Sequence, residues 1–358
     1  PGQEIFYPLS AVVAFSDVAK KLVYSDDKVE AYEQEYLKQI KEKGIDEDIY
    51  QYSVDYGRLA GQHMLDWVQQ DGYLQRQALP RHILSEHAGA WKPTPPDYMP
   101  GIEPHWRTIR TLVIDSAHQF APDPPTTFDS VPGSPFYQEA LEVYNMVNEV
   151  RKDAEKTEIA KFWDCNPNIS YTRGHVMFFH QKISPGGHWM SIASIAGRNK
   201  DLGIMEQAET FTATSIALFD AFISCWDEKY RSDLIRPETF IDLYIEPGWE
   251  PILQTPAFPE YTSGHSVISA SAASILTSLH GDNFAFTDST EVEFGMPARK
   301  YNSFFEASNE AAISRLYGGI HYRPACFNGV EQGKQVGNYV IANLNLREEE
   351  QPVARIGQ

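Results

Sequence analysis

The chain has 358 residues, 42% of them hydrophobic and 22% charged, which suits one large domain or two smaller ones, each with a real core. Its 30 basic and 49 acidic residues leave a formal net charge of -19, and such a surface repels phosphate backbones and anionic bilayers, so neither nucleic acid nor a membrane surface is an expected partner. No apolar run approaches the ~18 residues of a membrane span, and the three cysteines, Cys165, Cys225 and Cys326, allow at most one disulfide.

In chain order, residues 25–42 open on Ser-Asp-Asp and stop near Gly44, which predicts a helix. Residues 46–71 predict a second, with Ile49, Tyr52, Tyr56, Leu59, Met64 and Trp67 roughly at helical spacing. Residues 88–136 are rich in proline and aromatics and read as a long ordered loop or as a boundary. Helical patterns resume over 134–163, 174–179 and 201–231, followed by a proline-rich connection over 237–259. The stretch SGHSVISASAASILTSLHG is a helix crowded with small residues, so close packing makes it central. Residues 303–317 form a helix broken by Gly318 and Gly319, and 332–346 form the last one. Alternating strand patterns are scarce. The expected fold class is all-α, a helical bundle, with 1–133 an N-terminal helical region carrying a wrapping loop and 134–358 the bundle, joined as one continuous domain.

Three segments carry polar groups beyond what packing needs. In Ser263-Gly264-His265 a helix begins, and the free N–H groups at its start, with the positive end of its dipole, suit an anion. Gly264 lets an oxygen reach its backbone N–H, and His265 lies in the first turn. An ordinary serine cap would look the same. In the segment from Trp226 to Pro237, Lys229 falls in the last turn of a helix and Arg236 just beyond it, offering a point charge and a planar fork, though surface cations at a helix end share that pattern. In Ser314-Arg315 through His321, the two glycines let the chain turn a histidine back toward a pocket, or simply stop a helix.

Together these segments resemble the signature K-x6-R-P … P-S-G-H … S-R-x5-H of the superfamily shared by vanadium-dependent haloperoxidases and type-2 phosphatidic acid phosphatases. AWKPTPPDYMPGIEPHW and KFWDCNP are further similar to segments of bacterial haloperoxidase-type proteins. The resemblance implies an all-helical fold and a vanadate or phosphate held by Lys229, Arg236, Ser263, Gly264 and Arg315. It makes His321 the apical ligand of vanadium and His265 the acid–base residue. In the peroxidase form, His265 takes a proton from hydrogen peroxide, Lys229 polarises the bound oxygens and a halide, iodide or bromide, is oxidised. In the acid phosphatase form, His321 attacks a small phosphate ester and becomes a phosphohistidine. Trp226 and Phe258 match pocket positions of chloro- and iodoperoxidases, where bromoperoxidases tend to carry histidine in place of the phenylalanine; core packing would explain the two rings equally.

Two positions depart from the pattern. Thr262 stands where proline is usual, and Ala325 stands where phosphatases carry the aspartate that orients the nucleophile. The second weighs against the phosphatase and leaves the partner of His321 open. A zinc site from His175, His180 and His188 lacks the spacing of known zinc motifs, and no G-x-S-x-G elbow supports a serine hydrolase. A non-catalytic anion binder would need neither His265 nor His321. The first residue, Pro1, together with the family likeness, makes export from a bacterial cell, to the periplasm or cell surface, the expectation.

Overall fold

The computed structural model describes residues 4–346 apart from 168, 174, 180 and 181, with only the backbone of 172 and 173. The chain divides into two compact units, Pro1–Ala78 and Leu79–Gln358.

The first unit holds three helices, α1 (Tyr7–Leu22), α2 (Asp26–Glu42) and α3 (Glu47–Val68). Asp46 caps α3 by accepting from the Asp48 and Ile49 amides, as its position before the apolar run predicts. The buried stripe of α3 is Tyr50, Ser53, Val54, Gly57 and Gly61, while Tyr56, Leu59, Met64 and Trp67 of the predicted apolar face are exposed. The reason is α1, which the sequence reading did not identify. It packs its Leu9 and Val13 on this stripe, and a Cβ on Gly57 would stand 2.6 Å from the Ser10 carbonyl oxygen. Close backbone approach through two glycines outweighs the number of apolar side chains on the other face.

The second unit is a bundle of eight helices among the described residues: α4 (Pro135–Val150), α5 (Ala154–Phe162), α6 (Pro185–Asn199), α7 (Ile204–Ser232), α8 (Pro237–Tyr244), α9 (Gly264–His280), α10 (Phe304–Tyr317) and α11 (Arg323–Asn343). Two short antiparallel hairpins, β1 (Ser170–Arg173) with β2 (Val176–Phe179) and β3 (Phe286–Asp288) with β4 (Arg299–Tyr301), interrupt them. The helix expected over 174–179 is therefore a strand from Val176 onward, since four β-favouring residues are too few to nucleate a helix but enough to pair with Ser170–Arg173. The single helix expected over 134–163 is two, α4 and α5, with Asp153 capping the second. The last helix starts at Arg323, well before residue 332, with Pro324 in its first turn.

The small-residue helix α9 is the centre of the bundle, packed on α7, α10 and α11. Gly329, Gly333 and Gly337 form one ridge of α11 against it; a Cβ on Gly333 would lie 2.1 Å from the Val267 carbonyl oxygen, and one on Gly337 2.8 Å from that of Ser271. The stretch from 79 to 134 has no helix longer than a single 3-10 turn, yet it is tied along α7. The Asp220 carboxylate accepts from the amides of Leu112, Val113 and Ile114 at 2.8–3.0 Å, and Trp226 and Tyr230 both donate to the Ile102 carbonyl. This loop carries Ile102 and Trp106 to the cavity described below. On the opposite side, Arg299 joins Glu155, Glu158 and Glu310 at 2.8–2.9 Å, and Trp163 donates to Glu310, which fixes the end of α5 against α10.

Candidate active site

The C-terminal end of α7, the start of α9 and the end of α10 meet around a cavity of about 160 Å³. Trp226, Phe258, Gly264, His265, Arg315 and His321 line it, together with Trp106, Phe222 and Ile268. Lys229, Arg236 and Ser263 stand directly behind that lining, all three without solvent exposure. The ordinary reading of Lys229 and Arg236 as surface cations at a helix end is thus corrected, because both are buried.

Each side chain is placed by its local backbone. Ser263 caps α9 by accepting from the Ser266 amide, and its own amide donates to the Ala325 carbonyl at 3.0 Å, so the starts of α9 and α11 are joined. Gly264 faces the cavity: a Cβ there would meet only the Trp226 ring, at 3.6 Å. Gly319 sits at φ +79, where a Cβ would also strike Val147 at 2.7 Å, and this turn brings His321 back under α10. Lys229 spends its three N–H groups on the carbonyls of Pro259, Glu260 and Thr262, at 3.1, 3.1 and 2.5 Å. It therefore pins the loop entering α9, with the Phe258 ring 5.0 Å from its ammonium. Burial lowers its pKa to about 7.

Arg236 donates from Nε to the Phe258 carbonyl and from Nη1 to the Ile320 carbonyl and to Nε2 of His321, at 2.8, 2.9 and 3.1 Å. A guanidinium only donates, so Nε2 of His321 is the accepting nitrogen and its ring proton is on Nδ1. That proton goes to Glu260, whose Oε1 is 2.8 Å from Nδ1 and also accepts from the Tyr322 amide at 2.9 Å. Glu260 is fully buried, and it answers what orients His321 with alanine at 325. Sequence reading missed it because it precedes the Ser-Gly-His motif by three residues and comes to His321 only through the fold. Trp106 and Phe222 were missed as well; the only signal was the aromatic content of their segments.

Arg315 donates from Nη1 to the Trp163 carbonyl at 2.6 Å and lies 3.9 Å from Asp164. Nη2 of Arg236, Nε of Arg315 and Nε2 of His265 have no partner although buried. Unpaired buried polar atoms of this kind are rare and costly. Burial, with Arg315 adding to it, holds His265 well below the usual histidine pKa, and burial with Arg236 does the same for His321. Burial also pushes Glu260 up to about 8 and lowers Arg236 to about 10. An anion in the cavity would relieve the strain on every one of the cations. Of the three histidines rejected as a zinc site on their spacing, His175 is exposed beside the first hairpin, His188 is buried, and His180 lies outside the described residues.

A family model, the second helical-bundle domain of vanadium chloroperoxidase, matches residues 209–247 and 244–347. A solved structure described as the first bacterial vanadium-dependent iodoperoxidase is 44% identical, superimposes with a TM-score of 0.90, and is matched over 98% of this chain and 82% of its own. The chain belongs to the vanadium-dependent haloperoxidases. Two further solved structures, described as the holo and apo forms of a bacterial vanadium-dependent chloroperoxidase, share the fold at 16% and 17% identity, with TM-scores of 0.71 and 0.70. They are matched over 93% of this chain and over 81% and 83% of theirs. No curated protein sequence matches. The all-helical expectation for the haloperoxidase family thus agrees with both the bundle and its relatives. All three cysteines of the chain are unpaired and buried.

Proposed function

We propose that this chain is a vanadate-dependent haloperoxidase that uses hydrogen peroxide to oxidise iodide or bromide. One observation carries the reading: buried polar atoms on Arg315 and His265, which line the cavity, and on Arg236, just behind it, have no partner, and they flank a histidine whose Nε2 lone pair is engaged by Arg236 Nη1, which an incoming anion would displace. These residues fit a tetrahedral oxyanion. Arg236, Arg315, Ser263 and the Gly264 amide would hold its oxygens, with His321 Nε2 toward the central atom and Lys229 supplying charge from behind. When bound, vanadate supplies a Lewis-acidic centre that activates hydrogen peroxide toward a halide.

The protein's part is positioning and proton handling. Glu260 keeps the His321 proton on Nδ1, so Nε2 presents a lone pair. His265, neutral and unpartnered at Nε2, is placed to accept a proton from a peroxide entering the cavity. Lys229 holds the 259–262 loop rigid and keeps positive charge close behind it. Trp106, Trp226, Phe222 and Phe258 form a continuous aromatic wall, with centroids 4.6 Å apart for Trp106–Trp226 and 5.0 Å for Trp226–Phe258, which limits water beside the reacting oxygens.

Glu260 supplies the carboxylate that Ala325 lacks, so that position no longer separates peroxidase from phosphatase. Family membership favours the peroxidase. The test is a paired assay of vanadate-free protein, with and without added vanadate. Iodide oxidation by hydrogen peroxide that depends on vanadate is expected. Hydrolysis of a phosphate monoester without vanadate, and no vanadate-dependent halide oxidation, would reverse the assignment.

A further inference from the structure

Next to the anion-binding residues lies a second buried polar group that the proposed reaction does not use. Cys165 follows α5, His188 lies in the first turn of α6, and Asp288 and Glu291 lie at and just after the end of β3. The four are 0–3% exposed. Cys165 Sγ is 3.2 Å from His188 Nδ1 and 3.8 Å from Glu291 Oε1, and those two atoms are 3.3 Å apart. On the far side of the ring, His188 Nε2 lies 2.7 Å from Asp288. The imidazole is stacked on Trp163 at 4.6 Å, which fixes its plane.

A soft thiol, a borderline imidazole and a hard carboxylate thus converge from three separate chain segments. A tetrahedral zinc ion, with bonds of about 2.0–2.3 Å, sets its S, N and O donors roughly 3.3–3.6 Å apart. The observed separations of 3.2, 3.3 and 3.8 Å bracket that spacing. A carboxylate on the other ring nitrogen is the usual partner of a metal-bound histidine, because it fixes the tautomer and raises the ligand's basicity. Two buried carboxylates and a thiol around one imidazole also leave negative charge that a divalent ion would balance.

We propose that Cys165, His188 and Glu291 bind a divalent transition metal ion of the zinc class, with Asp288 orienting His188 from outside the coordination sphere. Three protein donors leave a fourth position for water. Cys165 also lines the cavity, which gives the ion an entry path. The site is distinct from the anion pocket but mechanically joined to it: Cys165 is two residues past Trp163, whose carbonyl holds Arg315. Metal at Cys165 would therefore stiffen the segment that positions Arg315. A metal takes thiolate and neutral imidazole as ligands, so uptake must release any proton on Cys165 and His188. The proposal does not depend on the peroxidase reading.

The experiment titrates chelator-stripped full-length protein with Co²⁺, then Zn²⁺. Wild type should take up one equivalent of Co²⁺ with a thiolate-to-metal charge-transfer band, and Zn²⁺ should bleach it. Cys165→Ser should lose the band while Cys326→Ser and His321→Ala keep it, the last separating this ion from anything held in the anion pocket. Glu291→Gln should weaken uptake by tenfold or more, a ligand loss at least as costly as the roughly 10–100-fold of an outer-sphere change. Absence of stoichiometric uptake by wild type, or a band unchanged in folded Cys165→Ser, would overturn the proposal.

Discussion

Glu260 is the side chain on which the proposed anion pocket turns. It is buried, it accepts the hydrogen bond from Nδ1–H of His321, and it has Arg236 and Lys229 as neighbouring charges. Replacing it with glutamine keeps the shape but lets the amide donate or accept, so the tautomer of His321 is no longer imposed. Glu260→Gln should weaken vanadate binding by roughly 10–100-fold, the usual cost of losing a partner of a ligating histidine. Titration of vanadate-free protein by calorimetry reads this directly, and unchanged affinity would remove Glu260 from the positioning role. The residues that the motif names were legible because each lies at a helix end whose cap or breaker is local: Ser263 before α9, and Gly318 and Gly319 after α10. Glu260 was not legible, because its partner is 61 residues away and nothing in its own neighbourhood marks it.

At the level of helices, the site is held by the contact between α9 and α11. Their starts share the Ser263–Ala325 hydrogen bond, and their bodies meet over three glycines. A methyl group at Gly333 would fall 2.1 Å from the Val267 carbonyl, so one helix must move. Gly333→Ala should destabilise the protein by about 1–3 kcal/mol or more, the cost of overpacking a tight core, despite alanine's better helix propensity. Thermal unfolding measures this, and a raised melting temperature would show that the helices can separate freely. The central place of α9 was visible in its run of serine and alanine. The glycine ridge of α11 was overlooked, since Gly329, Gly333 and Gly337 add no apolar signal that marks a buried face. The face of α3 was misjudged for the same reason: Gly57 and Gly61 carry the contact without contributing any hydrophobic signal.

Across the whole second unit, several imidazoles are buried in the neutral form. Burial, with Lys200 adding, lowers His280 from 6.5 to about 4, and His265 and His321 are also held low. At these histidines the unfolded chain therefore binds more protons than the folded one as pH falls below 6.5, and the stability they contribute is lost in that direction. For His280 the contribution is fully present above 6.5 and lost by about 4. His280→Gln should make the loss shallower over that range, as read from denaturant midpoints at several pH values; identical slopes would show that His280 carries no proton linkage. Fold class was legible at this scale from helical periodicity alone. The path of 79–134 was not, because its anchors, such as the Asp220 carboxylate on three backbone amides, join parts of the chain more than a hundred residues apart.

The unpaired cysteines bear on how such a catalyst would age. Cys225 and Cys326 are shielded by packing and by no covalent bond, while Cys165 borders the cavity itself. Thiols climb readily to sulfenic and then irreversible sulfinic acid once exposed to oxidant, and the proposed product is itself an oxidant. A brief local opening during turnover would then leave a chemical scar that refolding cannot erase. Conformational rigidity here is a form of self-protection, and working lifetime is set by how seldom the interior breathes.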